Sequence, residues 1–290
     1  MDLLSISIKH KYLEGSWVII NFHQVSDAFI DGIHSRGTWT PTNVFIKTIE
    51  SINKKHEFVT LTEGIDRLRN NKIGKKTLFS ITFDDGDVSI LDNALPFLSK
   101  NKIPATLFIN SAYLNNDKQN WFRAFLYLDK YHPEILKKEN IKNEINALRN
   151  NSDINFYKTV SRKVESAFGQ LVDKPKFTLD MQMLKGLDSK LFTIGLHNHK
   201  HDRLSLLSYE EQKEDVEKNI EILSKLSHYK PYWALPFGTE KDWNRDTVRV
   251  ASEKDLYLFF HTGGINKQYN ELGLNRIPCD NKRYRDIIFK

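Results

Sequence analysis

Residues Thr77–Gly86 read TLFSITFDDG. A strongly β-forming run leads directly into two acids and a glycine, which predicts a strand with Asp84 and Asp85 at its C-terminal end. Adjacent carboxylates there are unfavourable unless something positive or protic faces them, and Gly86 lets the chain turn away sharply. The competing reading is a solvated turn with two exposed acids.

The same rhythm extends on both sides. Upstream lie a buried-strand run at Trp17–Phe22 (WVIINF) and helical spacing over Val44–Lys54, with Phe45, Ile49 and Ile52 on one face. A short strand at Phe58–Leu61 and a helix near Glu63–Arg69 follow. Downstream come a helical segment at Val88–Lys100 and a strand at Ala105–Ile109. Repeated strand–helix order predicts an α/β fold with a largely parallel sheet. Residues from about 111 to 185 break the pattern; rich in Lys, Asn and Glu, with Trp121, Phe122, Phe125 and Tyr127 clustered, they read as a mostly helical insertion. The rhythm resumes at Leu191–Leu196. Ser208–Glu211 has the form of a capping box ahead of Val216, Ile220 and Leu223, and Tyr232–Leu235 and Leu256–Phe260 read as the last strands of the main sheet. Without an internal repeat or an obvious linker, residues 1–290 read as a single domain.

The chain has 290 residues, 40% hydrophobic and 12% aromatic, which suffices for a sizeable core and excludes a disordered chain. Its +6 charge comes from 43 basic and 37 acidic residues, with no dense basic stripe interleaved with aromatics. Nucleic acid is therefore not an expected partner, and mild attraction for anions such as sugar phosphates competes with a merely solvated surface. Cys279 is the only cysteine, so no internal disulfide can form. The first residues, MDLLSISIKHKYLEGSWVII, lack the form of a signal peptide, and no run approaches the ~20 apolar residues of a spanning helix. The expected address is the cytoplasm, with no transmembrane segment.

A second concentration of ligand-type residues is Ile194–His201, IGLHNHKH, again at a predicted strand end. Three of the chain's ten histidines fall within five residues there. Imidazole suits a divalent metal, and His/His/Asp with an open position is the arrangement of a hydrolytic site. Spacing does not choose the pair. His197 and His199 share one face of a strand, whereas His197 and His201 converge across one helical turn. One functional histidine beside two surface ones is the alternative.

Thr82–Gly86 (TFDDG), followed by a helix and Ile103–Asn110 (IPATLFIN), resembles the first signature of the polysaccharide deacetylase, or NodB-homology, superfamily. Ile194–Ser208 is similar to its second signature. Phe22-His23-Gln24-Val25, Leu235-Pro236-Phe237-Gly238, Gly263–Asn266 and Arg276-Ile277-Pro278 resemble the branch whose third motif ends in Pro-Phe-Gly. The resemblance covers roughly residues 17–110 and 190–280 and leaves the insertion unexplained. It implies a distorted (β/α) barrel with its site at the strand C-terminal ends. It also implies one divalent metal ion, zinc by default and Co, Ni or Fe on the same ligands, held by Asp85, His197 and His201, with Asp84 as general base and His199 a bystander.

Where many members carry an arginine in the third motif that orients the catalytic Asp, this chain has Ala234, and Arg276 is the candidate substitute. His261, after Leu256–Phe260, is the candidate general acid, with His23 next. His23, Pro236, Phe237, Gly238 and Trp233 are candidate substrate-binding residues, and backbone N–H groups of the Pro236–Gly238 turn are candidate oxyanion donors. Asp242 reads as a helix N-cap. Trp121, Phe122 and Arg123 read as core packing or as a substrate wall offering an aromatic face and a phosphate or carboxylate partner.

The activity implied is hydrolysis of an N-acetyl group from an amino sugar. The expected address points to a nucleotide-linked, lipid-linked or otherwise unfinished glycan of a surface polysaccharide, such as O-antigen or capsule. The alternatives are deformylation or another C–N hydrolysis on a small molecule, and a non-catalytic sugar-binding protein.

Overall fold

The computed structural model describes residues 13–115, 118–148, 154–261 and 264–280. Residues 1–12, where no signal peptide is expected, and Gly263 of the Gly263–Asn266 motif lie outside them. The described residues form ten strands: β1 (Trp17–Phe22), β2 (Gln24–Ser26), β3 (Trp39–Pro41), β4 (Glu57–Phe58), β5 (Leu78–Phe83), β6 (Ala105–Ile109), β7 (Phe192–Leu196), β8 (Tyr229–Ala234), β9 (Tyr257–Phe260) and β10 (Leu274–Pro278). Seven close into a parallel barrel in the order β1-β5-β6-β7-β8-β9-β10. β1 pairs along its length with β5, from Trp17–Leu78 to Phe22–Phe83, and on its other side with β10, so the sheet meets itself. A parallel ring sends every strand's C-terminal end to the same mouth.

Alternation along the strands sorts the side chains. Outward-facing Val18, Ile20, Phe22, Ile81, Phe83 and Leu107 share a buried cluster with Phe45, Ile49 and Ile52 of the helix Thr42–Asn53 and with Val216 and Leu223 of the helix Tyr209–Leu223. Inside the barrel, the Trp17 indole donates to Ser80 Oγ at 2.9 Å, and Phe108 packs on Phe259. The opposite end is closed by the helix Leu61–Arg69. Its Leu61, Ile65 and Leu68 join Trp17, Ile19 and Leu78 in a second cluster, and Gly64 lies so close to the Trp17 ring that a Cβ would meet it at 2.2 Å.

The insertion contributes the helices Trp121–Tyr131, Pro133–Lys138, Ile141–Leu148 and Ile154–Gly169. Ala124, Leu128, Leu136, Val164, Phe168 and Phe177 form a core of their own. Arg123 ties this unit to the barrel mouth: its guanidinium pairs with the buried Asp87 and donates to the Ile33 carbonyl at 3.0 Å.

Several boundaries differ from the sequence reading. The strand expected over Phe58–Leu61 ends at Phe58, because Thr60 caps the next helix by accepting from the Glu63 N–H. The segment Val88–Lys100 is two short helices broken at Ala94, since Pro96 cannot donate to the preceding turn. β9 is not the last strand of the sheet; β10 is, and its Asn275 and Arg276 interrupt the apolar run that would have marked it. The N-cap of the helix Arg245–Glu253 is Asn244, not Asp242, whose carboxylate instead accepts from the Thr239 N–H and pairs with Arg203. The capping box at Ser208 and Glu211 is present.

Candidate active site

β5 ends by delivering Asp84 into the barrel mouth, 2% exposed. Arg276, fully buried on β10, grips it with a two-pronged contact: Nη1 to Oδ1 at 2.6 Å and Nη2 to Oδ2 at 2.9 Å. Asn21 at the end of β1 adds a donor to Oδ2 at 3.0 Å and accepts from Arg276 and Thr82 with its own carbonyl. Burial pushes the Asp84 carboxyl up, but the Arg276 guanidinium outweighs it and holds it well below the usual carboxylate range. A fork of this kind fixes direction as well as charge.

Asp85 turns the other way, with a left-handed φ of 67°, and Gly86 continues that turn. Its Oδ1 lies 3.4 Å from His197 Nε2 and 3.3 Å from His201 Nε2, yet is buried without a hydrogen-bond partner. The three candidate ligand atoms lie within 4.8 Å of one another. The His197 Nδ1 donates to the Ala234 carbonyl at 2.8 Å, which fixes the ring with Nε2 facing Asp85. Burial lowers the His201 pKa to about 4, so its ring is neutral and able to donate a lone pair at neutral pH. An orphaned carboxylate oxygen beside two imidazole nitrogens fits a divalent cation.

The loop between the histidines is held from behind. Asp215 accepts from the His199 N–H at 2.7 Å and the Lys200 N–H at 3.1 Å. Asn198 and His201 both adopt positive φ, which turns the His199 ring away to meet Ser111 Oγ at 2.8 Å, outside the site. Such conformations cost energy in residues other than glycine and persist where the surroundings enforce them. Here the enforcing contacts are Asp215 and the Trp233 indole, which donates to Asn198 Oδ1 at 2.7 Å.

Across the mouth stands His23, just after β1. Its Nδ1 lies 2.6 Å from Asp280 Oδ2, and its Nε2 lies 3.9 Å from Asp84 Oδ2. Burial alone would lower the His23 pKa, but Asp280 beside it raises it to about 9. Thr40 on β3 braces Asp280 with a 2.8 Å hydrogen bond. His261 lies close by, its Nε2 3.4 Å from Asn21 Nδ2, and burial followed by Arg276 lowers its pKa to about 3. The two histidines thus differ in charge at neutral pH.

The profile of the polysaccharide deacetylase family matches residues 71–259. The chain belongs to that family. Poly-beta-1,6-N-acetyl-D-glucosamine N-deacetylase from Staphylococcus aureus is 34% identical over 119 residues, covering 38% of this chain and 41% of that protein. Its Staphylococcus epidermidis counterpart is 30% identical over 118 residues, covering 37% and 40%. The chain thus spans about two-fifths of the length of these curated relatives. Among solved structures, IcaB from Ammonifex degensii superposes with a TM-score of 0.63 at 18% identity, covering 94% of this chain and 95% of that one. The Streptococcus pyogenes deacetylase PplD in complex with acetate gives 0.64 at 15%, covering 95% and 98%. At those identities the superpositions speak for the fold.

In this polysaccharide deacetylase family chain, Asp84, Asp85, His23, His197, His201, His261 and Phe237 line one cavity of about 670 Å³. Trp233 does not line it; it is fully buried and supports Asn198 from the far side of the strand. Gly238 serves the backbone: its N–H turns back on the Pro236 carbonyl, and a Cβ there would lie 2.8 Å from the His261 backbone nitrogen. Of the Pro236–Gly238 turn, only the Phe237 N–H is left as a candidate oxyanion donor, since proline has none. Arg123 lines the cavity as well, with its guanidinium paired to Asp87 and to the Ile33 carbonyl. Asn21, Asp215 and Asp280 escaped the sequence reading: each lies outside the motifs and reaches the site only through the fold.

Proposed function

We propose that this chain hydrolyses the N-acetyl group of an amino sugar within a glycan, with one divalent metal ion held by Asp85, His197 and His201. The observation that carries this reading is the convergence of that ligand trio with a clamped carboxylate, Asp84, and a charged imidazole, His23, in one cavity. A divalent ion there, zinc by default and Co, Ni or Fe on the same ligands, would act as a Lewis acid that acidifies water and polarises the acetyl carbonyl.

The chain's own residues supply the proton traffic. Asp84 stays ionised at any working pH and takes the water's proton as its oxygen attacks. Because Arg276 makes it a weak base, it depends on a strongly acidified water. The Phe237 N–H helps hold the developing oxyanion. The amine leaves only if it is protonated, since an amide anion is a very poor leaving group. We assign that proton to His23 rather than to His261, because Asp280 keeps His23 charged whereas burial keeps His261 neutral.

The cytoplasmic address and the nucleotide- or lipid-linked precursor stand as proposals from the sequence. The activity named for the staphylococcal relatives supports a second substrate, a β-1,6-linked N-acetylglucosamine chain. Pairing of Arg123 with Asp87 and of Arg203 with Asp242 favours this second, uncharged substrate.

The test is mass spectrometry of N-acetylated nucleotide sugars and N-acetylglucosamine oligomers incubated with metal-loaded protein. Loss of one acetyl mass is expected, abolished by chelation and slowed about 10²–10⁴-fold in Asp84→Asn. No loss from any compound, with the metal still bound, would sink the reading.

A further inference from the structure

Resting on that reading, we infer that the insertion supplies a glycan subsite beside the reacting sugar, built from the Gln119 amide and the Phe122 ring. Two observations carry it. Gln119 is 1% exposed and lines the catalytic cavity, and its Nε2 has no hydrogen-bond partner. Its Oε1 accepts from the Asn120 N–H at 2.8 Å, which fixes the amide orientation and leaves a donor to spare. A buried donor left unpaired costs about 1–3 kcal/mol, so its partner is sought in whatever enters the cavity. A donor amide takes an oxygen acceptor, such as a sugar hydroxyl, ring oxygen or acetamido carbonyl, and does not suit an ammonium group.

Phe122 supplies the second observation. It is 45% exposed on the cavity wall, and Phe237 is 43% exposed on the same cavity. Large apolar rings left open to water in a cavity that also holds polar side chains suit the apolar C–H faces of a pyranose ring. The ring is preorganised. Asn120 caps the helix Trp121–Tyr131 by accepting from the Phe122 N–H, the Trp121 indole is fixed on Tyr157 at 2.8 Å, and Arg123 is clamped to Asp87. Three consecutive residues are immobilised through separate partners, so Phe122 meets a ligand with little ordering cost.

The ligand class is therefore a neutral N-acetylated glycan of more than one sugar, lying between the metal-side Phe237 and the insertion-side Phe122. The probe is a pentasaccharide of N-acetylglucosamine, used with the full chain and its metal. Phe122→Ala and Gln119→Leu are each expected to raise KM for this probe about tenfold, with the loss falling on KM rather than kcat. Melting temperature and metal content, measured alongside, report whether each variant is folded and loaded. Wild-type KM in both variants, while Asp84→Asn slows turnover as expected above, would overturn the subsite and leave the deacetylase reading standing. If wild type binds the pentasaccharide by tryptophan fluorescence without hydrolysing it, the activity reading fails, and tenfold weaker binding by Phe122→Ala still upholds the subsite. Neither binding nor turnover by wild type would overturn both.

Discussion

The two ends of the barrel are made by the same seven strands and could hardly differ more. At the closed end the side chains are apolar and interlocked: Gly64 admits the Trp17 indole, and Leu61, Ile65 and Leu68 plug the space beneath it. At the open end Asp84, Asp85, Arg276, His23 and His197 crowd together, and Asp85, Asn198, His201 and Phe237 hold positive φ. Packing stabilises the first end, and it must also offset the strain and desolvation tolerated at the second. Stability and chemistry are thus separated along one axis, a division open to test from either end.

The largest effect is expected at the back of the metal loop. Asp215→Ala removes the acceptor for the His199 and Lys200 N–H groups without touching a ligand. Metal affinity should fall about 10–100-fold, as for other residues that orient ligands. Competition with a chromophoric chelator measures it, and unchanged affinity would mean that the loop holds its shape unaided.

Next comes a shift in pH response. His23 is charged below about 9 because of Asp280, so the rate should fall as pH rises through that value. Replacement of Asp280 by Asn leaves burial, which lowers the pKa, without its counterweight. The alkaline limb should then move down by more than one unit. The same pairing has a stability consequence of known sign: a pKa raised from 6.5 contributes fully below 6.5 and is lost as pH rises through about 9. A limb that stays in place in the Asn variant would break the assignment of His23 as the acid.

The smallest functional effect belongs to the closed end. Gly64→Ala drives a Cβ to 2.2 Å from the Trp17 ring, an overpacking cost of about 1–3 kcal/mol. The helix-propensity gain of about 1 kcal/mol from losing a glycine offsets only part of that. Calorimetry should show melting lower by several degrees, with kcat of the folded protein preserved. A loss of kcat instead would show that the two ends communicate.

What could be read in advance follows from where the information lies. Asp84 and Asp85 stood out because an apolar strand ends in two acids, and the barrel was legible from strand–helix rhythm together with the family motifs. The choice among His197, His199 and His201 came from the family motif and not from spacing, because it is made by the positive φ of Asn198 and His201, which a periodicity argument does not see. The His23–Asp280 pair was not legible, since its members lie 257 positions apart. β10 hid for the opposite reason: the Arg276 that makes it important spoils the apolar pattern of a buried strand.

That placement of Arg276 and Asp280 on and just after the final strand has a consequence for the chain as it is made. Asp84 directly follows β5, and His197 and His201 follow β7, so all three are translated well before Arg276 and Asp280. Until β10 slides between β1 and β9, Asp84 has no guanidinium to aim it and His23 has no carboxylate to keep its proton. Ring closure joins segments far apart in the chain, a contact that carries a large loop-closure cost, and it also completes the surroundings of Asp84 and His23. A ribosome carrying this chain without β10 carries an Asp84 that nothing yet aims.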